Sequence, residues 1–350
     1  MNFLVINPGS TSTKVAIYEN TTPKCNRTIR HSMEDLSAFP KLMDQLEYRK
    51  ALVMDFLAEN DFTPKKLDCV ISRGGSPPNA KSGATTIDEN LVDALIERPL
   101  DQNPASLGPV IANSIAKEGG IPAYIYDPIT TNELNPLARV FGVKGIEHDS
   151  MGHVLNTRAM GIAVAKELGR PFDRCNFIVV HIGGGNSVSL WSKGKLTDTF
   201  PTDYGTFSAE RCGSMRIGQM VSLIEEYGLD TIKSWLGGKG GMVSLVGTNE
   251  LKKVEDLIVS GDEQALLCEE AMAYQLSKLI AALFPVVHGK LDGIIITGGG
   301  AYWDRLTDDI QEWVACLNTP VFIRPGENEM QALAEGAYRV MAGEEIAHKY

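Results

Sequence analysis

The sequence lacks the features typical of zinc-finger, disulfide-rich and nucleic-acid-binding proteins. Its six cysteines are scattered over 350 residues with no Cys-x-x-Cys pair and no Cys/His cluster, so neither a disulfide framework nor a zinc site is indicated. Basic residues are outnumbered, with 33 Lys and Arg against 44 Asp and Glu and a net charge of −11. This balance argues against nucleic acid or an anionic membrane as the main partner. An anionic substrate would need local cations, backbone N–H groups or a metal ion to overcome the overall field.

Long hydrophobic runs are also missing. The longest apolar stretch, residues 279–287, contains a proline and is too short to span a bilayer. The chain starts directly with a strand-like segment that no basic region precedes, so no signal peptide is expected. Together with the lack of a disulfide pattern, these absences predict a cytoplasmic, reduced protein that does not enter a membrane.

Two hairpins rich in hydrogen-bond donors are the main feature that the sequence does contain. Residues 3–18 place Phe-Leu-Val-Ile and Val-Ala-Ile-Tyr on either side of Asn-Pro-Gly-Ser-Thr-Ser-Thr-Lys, which is typical of two strands joined by a tight turn. Residues 179–191 repeat this pattern around Gly-Gly-Gly-Asn. Turns that present backbone N–H groups and hydroxyls suit an anion such as phosphate. The candidate phosphate-binding residues are Asn7, Ser10, Thr11, Ser12, Lys14, Gly183, Gly184, Gly185 and Asn186.

The predicted elements repeat in order along the chain. In the first part, strands are predicted over residues 3–6, 15–18, 24–31, 67–72 and 123–127, and helices over 33–60, 90–97 and 103–117. In the second part, strands are predicted over 176–182, 186–191, 195–199, 291–297 and 319–323, and helices over 151–168, 263–287 and 329–341. Alternating strands and helices predict an α/β fold, and the length favours two domains. We place them at residues 1–150, joined by the C-terminal helix 329–350, and at residues 151–328.

A third glycine-rich segment follows a strand that reads as buried. Ile294, Ile295 and Ile296 lead through a threonine into Gly298, Gly299 and Gly300. Glycines let a backbone approach a ligand closely, which favours a nucleotide site over a merely flexible loop.

Charged side chains at strand ends are the next candidates. Arg73 closes a buried strand and precedes two glycines, while Arg211 lies among small residues. Either arginine can be a structural ion-pair partner, or can direct its planar fork at a carboxylate or phosphate. Asp127 closes a strand at the end where open α/β sheets bind ligands, although an Asp-Pro pair also commonly forms a turn.

Histidine and glutamate candidates are weaker when each is taken alone. A lone histidine is more often a core or surface residue than a catalytic one, and this applies to both His153 and His181. Glu329 begins the last helix, where an acidic side chain is also favourable simply because of the helix dipole.

Together, these motifs resemble the acetate and sugar kinase/actin/chaperone ATPase superfamily. Within it, the chain is similar to the acetate kinase group of carboxylate kinases, and most closely to the butyrate kinases. The resemblance runs over nearly the whole chain and is specific because many separate strings occur in the right order. These strings are residues 6–14, 72–75, 103–108, 126–128, 153–156, 181–187, 210–213 and 325–329.

The resemblance implies two duplicated ribonuclease H-like domains, an actin-like ATPase fold, with the active site in the interdomain cleft. It implies reversible transfer of the ATP γ-phosphoryl group to a short-chain fatty acid such as butyrate, giving an acyl phosphate and ADP, with Mg²⁺. It also implies a homo-oligomer, a dimer or larger.

Residue roles also follow from the resemblance, position by position. Asn7 would contact phosphate, and Arg73 and Arg211 would contact the acyl carboxylate and the transferring phosphoryl group. Asp127 would match the catalytic aspartate of the family. Glu329, with Asn7, would hold magnesium.

The catalytic histidine stays open between His153 and His181, because His-Asp-Ser-Met-Gly-His at residues 148–153 replaces the family's His-Gly-Thr-Ser-His string. Two alternatives also remain open. One is a sugar or other hydroxyl kinase of the same fold, with Asp127 as a general base. The other is a non-catalytic nucleotide switch.

Overall fold

A computed structural model describes residues 1–98 and 103–350 of the chain. They form two compact units: Met1–Asn132 together with Asn328–Tyr350, and Glu133–Glu327. The sequence analysis expects the first boundary at residue 150, whereas the structure groups residues 133–150 with the second unit. One reason is that the Asn135 N–H donates to the Thr197 carbonyl at 2.8 Å.

The first unit contains a mixed sheet of six strands. They are β1 (Asn2–Pro8), β2 (Ser12–Glu19), β3 (Thr22–Arg30), β4 (Cys69–Arg73), β5 (Ala84–Thr86) and β6 (Ala123–Tyr126). The order across the sheet is β3-β2-β1-β4-β6-β5. The first three strands form an antiparallel meander, and β4 and β6 run parallel to β1. The short β5 pairs antiparallel with β6 and has no counterpart in the sequence prediction.

The helices of the first unit begin with a break that the sequence analysis misses. They are α1 (Met33–Ser37), α2 (Leu46–Glu59), α3 (Glu89–Glu97) and α4 (Leu107–Gly119). A single helix over residues 33–60 is therefore wrong. Pro40 lies between α1 and a 3₁₀ turn at Leu42–Gln45 that leads into α2. Proline cannot donate the backbone hydrogen bond that a continuous helix needs at this position.

The second unit repeats the strand order of the first. Its strands are β7 (Asn176–His181), β8 (Ser187–Ser192), β9 (Lys195–Phe200), β10 (Gly293–Gly298) and β11 (Val321–Pro325). The order β11-β10-β7-β8-β9 matches β6-β4-β1-β2-β3, with the same parallel and antiparallel pairings. Both meanders even carry a register shift between their second and third strands. The predicted α/β fold with a duplicated domain is confirmed.

The helices of the second unit include a group with no predicted counterpart. They are α5 (Pro136–Arg139), α6 (Val154–Glu167), α7 (Ile217–Tyr227), α8 (Leu229–Leu236), α9 (Gly241–Val246), α10 (Leu251–Val259), α11 (Glu263–Leu283) and α12 (Asp304–Val314). No element is predicted for the four helices α7–α10, and none for α5 or α12. The last helix, α13 (Glu329–Met341), belongs to the first unit and has the predicted bounds. The sequence also predicts Asn328 as its N-cap, but the side chain of Asn328 makes no capping hydrogen bond.

The long helix α11 is also the one candidate membrane span among the described residues. Together with the 3₁₀ turn that follows, it covers Glu263–Val287 and is long and apolar enough by length and composition alone. Its apolar side chains Met272, Leu276 and Ile280 are fully buried in the core of the second unit. A single helix of this kind is weak evidence for membrane insertion.

Candidate active site

Three of the predicted site residues lie at one edge of the first sheet. In the parallel pairing of β1, β4 and β6, Ile6 lies beside Ser72, and Arg73 lies beside Tyr126. Asn7, Arg73 and Asp127 therefore stand at the carboxyl ends of three neighbouring strands. This is the edge at which open α/β sheets bind ligands.

Glu329 joins two of these residues from the first turn of α13. Its Oε1 lies 2.6 Å from Nη1 of Arg73, and its Oε2 accepts a hydrogen bond of 2.7 Å from Nδ2 of Asn7. Asn7 is buried, while the side chains of Arg73 and Glu329 are 28% and 17% exposed. The three side chains form a fixed cluster that solvent still reaches, so a charged ligand can approach it.

This cluster can be tested for its fit to Mg²⁺. Glu329 supplies one carboxylate and Asn7 one side-chain amide, and no group of three or more His, Cys, Asp or Glu residues suited to a metal occurs in the described chain. Mg²⁺ commonly takes one or two carboxylates and completes its shell with phosphate oxygens and water. The pair therefore fits a phosphate-bound Mg²⁺ better than a metal enclosed by protein.

Asp127 lies at the same edge but is bound to a different loop. It is buried and has a left-handed backbone with φ of 45°. Its Oδ1 accepts from the Gly83 N–H at 2.6 Å, and its own N–H donates to the Gly83 carbonyl at 3.1 Å. This two-way bridge fixes the direction of the carboxylate.

The turn between β1 and β2 has the expected donor-rich surface. The Gly9 N–H donates to the Ser12 carbonyl at 2.7 Å and closes the turn. Ser10, Thr11 and Lys14 are exposed, and Ser12 is partly exposed. The side chain of Lys14 makes no hydrogen bond or ion pair within the described part of the chain, so its charge is available to a ligand.

The turn between β7 and β8 is held by an asparagine. Oδ1 of the buried Asn186 accepts from the Gly183 N–H at 3.1 Å, and its Nδ2 donates to the Phe207 carbonyl at 3.0 Å. The Gly184 carbonyl accepts from the Glu210 N–H at 3.1 Å. Hydrogen bonds on the inner side of the turn thus define the path of its backbone, while Gly184 itself is exposed.

Arg211 lies directly against this second turn. A Cβ on Gly185 would lie 3.0 Å from its Nε, so any larger residue there requires the guanidinium to shift by a few tenths of an ångström. Nη1 donates to Oγ1 of Thr202, which is the only side-chain hydrogen bond of Arg211 within the described residues. Because a guanidinium has five N–H donors and this one has no acidic partner in the described chain, Arg211 can still bind an anion.

The two candidate histidines are in contact. The rings of His153 and His181 stack with centroids 3.7 Å apart. Nδ1 of His153 pairs with Oγ of Ser187 at 3.0 Å. His181 is buried, with Nδ1 facing Nδ2 of Asn156 at 2.9 Å and Nε2 facing Oε1 of Glu327 at 3.0 Å. The amide donates to Nδ1, so Nε2 carries the proton that His181 donates to Glu327.

His148, the first residue of the unusual histidine string, has different neighbours. Its ring packs against Phe141 and Tyr204, with centroids 5.3 and 5.9 Å away. His148 and Tyr204 line a cavity of about 570 Å³, together with Leu134, Phe200 and Pro201 among other residues. The structure therefore pairs His153 with His181 and leaves His148 at a separate cavity of the same unit.

The third glycine segment has a structural role at two of its three positions. A Cβ on Gly298 or Gly300 would come within 2.3 Å of Ile182, and Gly298 has a φ of 88°. Gly299 is exposed and has open space where a Cβ would be. The close packing of β10 against the β7–β8 turn thus accounts for two glycines, and Gly299 is the position open to a ligand.

Comparison with known proteins assigns the chain to a family. A model of the acetokinase family matches residues 124–303, just over half of the chain. The chain belongs to the acetokinase family. It is therefore a carboxylate kinase of a family that uses ATP.

Solved structures of acetokinases share the fold. Acetate kinase from Porphyromonas gingivalis is 20% identical with a TM-score of 0.77, and 97% of this chain and 99% of that one are covered. Acetate kinase from Entamoeba histolytica is 19% identical with a TM-score of 0.79, covering 96% and 98%. A propionate kinase from Francisella tularensis is 19% identical with a TM-score of 0.77, and 96% of this chain and 98% of that one are covered. At these identities the likeness establishes the fold alone.

Three side chains of this acetokinase were missed by the sequence analysis. Arg49 contacts the first turn from behind, Thr202 binds Arg211, and Glu327 pairs with His181. Glu327 lies in a string that supports the family resemblance, so its position was a usable signal. Arg49 and Thr202 lie in no motif, and only the folded chain brings them to the turns.

Proposed function

We propose that this acetokinase transfers the γ-phosphoryl group of ATP reversibly to the carboxylate of a short-chain fatty acid, butyrate or a branched-chain acid, forming an acyl phosphate and ADP. The observation that carries this proposal is the solvent-accessible guanidinium of Arg73, fixed by Glu329 beside Asn7 at the strand ends. A planar fork of this kind matches a carboxylate, whereas a neutral hydroxyl acceptor needs no such cation.

The chemistry requires charge stabilisation more than proton transfer. A fatty acid has a pKa of about 4–5, like a side-chain carboxyl, so it is already ionised at neutral pH and needs no general base. The difficulty is to bring one anion to another and to stabilise the equatorial oxygens of the transferring group. Arginines, backbone N–H groups and a histidine N–H meet that requirement.

In the first unit, we assign acceptor binding to Arg73. Its remaining N–H donors can bind a substrate carboxylate while Glu329 keeps the guanidinium in place. Mg²⁺, held by Glu329 and Asn7 with phosphate oxygens, would neutralise phosphate charge. The backbone bridge to Gly83 suits Asp127 to orienting groups rather than to removing a proton.

In the second unit, we assign the phosphates to the turn at Gly183, Gly184, Gly185 and Asn186, and the transferring phosphoryl group to Arg211. His153 or His181 donates to the phosphoryl oxygens, and the donor of His181 would be the Nε2–H that in the structure donates to Glu327. The two rings are stacked, so both lie at the same place in the unit. The segment Gly298–Gly300 would border the adenosine, with Gly299 nearest to it.

The preference for a four-carbon acid rests on the ordered strings shared with butyrate kinases. The cavity of about 570 Å³ beside His148 does not add to this support, because Asp149, Asp198 and Asp203 also line it and its volume suits much larger ligands. One methylene contributes only about 1–3 kcal/mol of discrimination, so activity on propionate, butyrate, isobutyrate and valerate should overlap. We further propose a cytoplasmic homo-oligomer, a dimer or larger, without a nucleic-acid partner.

The test is ATP- and Mg²⁺-dependent formation of acyl phosphate, trapped with hydroxylamine as the hydroxamate. Acetate, propionate, butyrate, isobutyrate and valerate are compared, and ADP release with glycerol tests for a hydroxyl acceptor. A hydroxamate signal that peaks at four carbons is expected. A peak at acetate would overturn the butyrate assignment. ADP release with glycerol and no hydroxamate from any acid would overturn the acyl-phosphate reaction.

A further inference from the structure

A buried arginine lies behind the phosphate-type turn of the first unit. Arg49 is in the first turn of α2 and is 1% exposed, which makes it one of the largest fully buried side chains of the molecule. Burial of an arginine is unusual, because removing its charge from water is costly unless hydrogen bonds and a counter-charge compensate.

The hydrogen bonds of Arg49 are directed at the turn. Nη1 donates to the Gly9 carbonyl at 2.8 Å and to Oγ1 of Thr13 at 3.1 Å, and Nη2 donates to the Ser10 carbonyl at 3.1 Å. Nε and Nη2 also donate to Oε1 of Gln45 at 3.0 and 2.8 Å. Nη1 also lies 3.4 Å from the Ser12 carbonyl. Only a forked guanidinium can contact three carbonyls, a hydroxyl and an amide at once.

These contacts determine which way the turn presents its donors. In a trans peptide the C=O and the following N–H point in opposite directions. When Arg49 draws the carbonyls of Gly9 and Ser10 inward, the N–H groups of Ser10 and Thr11 are turned outward. Neither N–H donates to any acceptor in the described chain, and both residues are exposed.

The counter-charge of Arg49 is missing within the described residues. Its side-chain acceptors are an amide, a hydroxyl and backbone carbonyls, and no carboxylate pairs with it. Burial lowers the pKa of Arg49, but an arginine remains charged at neutral pH. A buried cation that has no carboxylate partner in the described parts of the chain therefore lies directly under two outward N–H groups.

The neighbouring histidine adds no second charge. His31 is buried, and burial together with Arg49 lowers its pKa to about 4. Oγ1 of Thr13 accepts from Arg49 and lies 2.8 Å from Nε2 of His31, so the hydroxyl proton is donated to an unprotonated Nε2. Neutral His31 thus orients Thr13, and the charge under the turn is that of Arg49 alone.

We propose that Arg49 is a positioning residue for a phosphate group bound at the turn of residues 9–12. It orients the N–H groups of Ser10 and Thr11 outward, and its buried charge attracts the phosphate anion. The inference rests on the proposed function only in that a phosphate group of the nucleotide or acyl phosphate occupies this turn.

The test compares Arg49→Met and Arg49→Lys with Arg27→Met, the same substitution at an arginine of β3 that is exposed and pairs with Glu59. Stabilisation of each protein by inorganic phosphate is measured by thermal unfolding over a concentration series, and steady-state kinetics give kcat and the KM values for ATP and butyrate.

For Arg49→Met, we expect phosphate affinity and kcat/KM for ATP to fall at least about tenfold, with KM for butyrate within about twofold. Arg49→Lys should be intermediate, and Arg27→Met unchanged. A merely structural role would lower stability without phosphate and leave the phosphate affinity as in the wild type. A folded Arg49→Met variant with wild-type phosphate affinity would overturn the proposal.

If Arg49→Met does not fold, the phosphate affinities of Gln45→Ala and Arg49→Lys test the proposal instead. Gln45→Ala keeps the charge but frees two guanidinium bonds, so we expect phosphate affinity to fall about three- to tenfold. Unchanged affinity in both variants would overturn the proposal. The proposed function fails separately: wild-type protein that binds phosphate but forms no acyl phosphate counts against that function and leaves the role of Arg49 standing.

Discussion

The two hairpin turns occupy the same place in two sheets of the same strand order, yet each is stabilised differently. The turn after β1 is bound from behind by Arg49, whose side chain is almost completely buried. The turn after β7 is held by Asn186 and by the segment that follows β9, and its arginine, Arg211, packs against Gly185 with most of its donors unused.

The difference shows that duplicated topology does not duplicate electrostatics. A guanidinium whose fork is filled by protein acceptors orients the backbone and contributes a fixed field. A guanidinium with one neutral hydroxyl partner can move its remaining donors to a ligand. We therefore expect substitutions at the two arginines to have different effects. Replacing Arg49 should lower the affinity for phosphate, and replacing Arg211 should lower turnover.

Replacing Arg211 is expected to have the largest effect. Arg211→Ala should lower kcat by about 10³-fold or more, because an arginine on a transferring phosphoryl group contributes on this scale. The fold should survive, since the side chain makes only the bond to Thr202 in the described chain. Turnover is measured by the hydroxamate assay at saturating ATP and butyrate.

The matched control for Arg211→Ala is Thr202→Val, which removes the hydroxyl partner and keeps the cation. Its kcat should fall far less, by about tenfold at most. Near-wild-type kcat in a folded Arg211→Ala protein would contradict the assigned role, and circular dichroism establishes whether the variant is folded.

Acidification should affect the two units in opposite directions. The pKa of His31 is lowered to about 4 by burial and by Arg49, whereas its unfolded value is near 6.5. Its neutral form is favoured in the fold, so this contribution, up to about 3 kcal/mol, is complete above pH 6.5 and is lost as the pH falls towards 4. In the second unit, burial raises the pKa of Glu269 to about 7 from 4.5. That contribution is complete below 4.5 and is lost as the pH rises through 7.

The geometry around Glu269 supports the direction of its shift. The side chain is fully buried, Oε2 accepts from Nε of Arg305 at 3.0 Å, and Oε1 has no hydrogen-bond partner among the residues that the structure describes. Asp309 and Glu270 add negative charge around Arg305. A proton on Glu269 relieves this crowding of carboxylates.

Hydrogen exchange, corrected for intrinsic rates, can separate the two units between pH 4.5 and 7.5. Peptides from β1 and β2 should lose protection towards acid, and peptides from α11 and α12 should lose it towards neutral pH. His31→Gln should flatten the first trend only, and Glu269→Gln the second only. Parallel trends in both units of the wild type would show that these groups do not control local stability.

The smallest expected effect compares one glycine in each turn. Gly185→Ala places a Cβ within 3.0 Å of Arg211, so it should displace the guanidinium and lower kcat about tenfold with little change in stability. Gly9→Ala meets nothing closer than the Ser12 carbonyl at 3.5 Å and should change stability by less than about 0.5 kcal/mol. Equal kcat values in the Gly185→Ala and Gly9→Ala variants would mean that the function of Arg211 does not depend on its close contact with Gly185.

Part of the fold could be predicted from the sequence pattern, because that part depends on residues that are neighbours along the chain. Short apolar runs around Asn-Pro-Gly and Gly-Gly-Gly-Asn were enough to predict both hairpins, and the bounds of α13 match the prediction. The break at Pro40 was missed, although proline marks it, because apolar spacing continues across it. The helices α7–α10 pack few buried side chains, so their pattern was weak.

The sequence by itself determined the duplicated α/β order, the two donor-rich turns and the family, since local periodicity and ordered motifs encode these. Only the tertiary structure decided that Glu329 joins Arg73 and Asn7, that His153 stacks on His181, and that Arg49 lies under the first turn. These contacts join residues up to 322 positions apart. Long-range pairing of this kind follows from strand order and close packing, which no local pattern specifies.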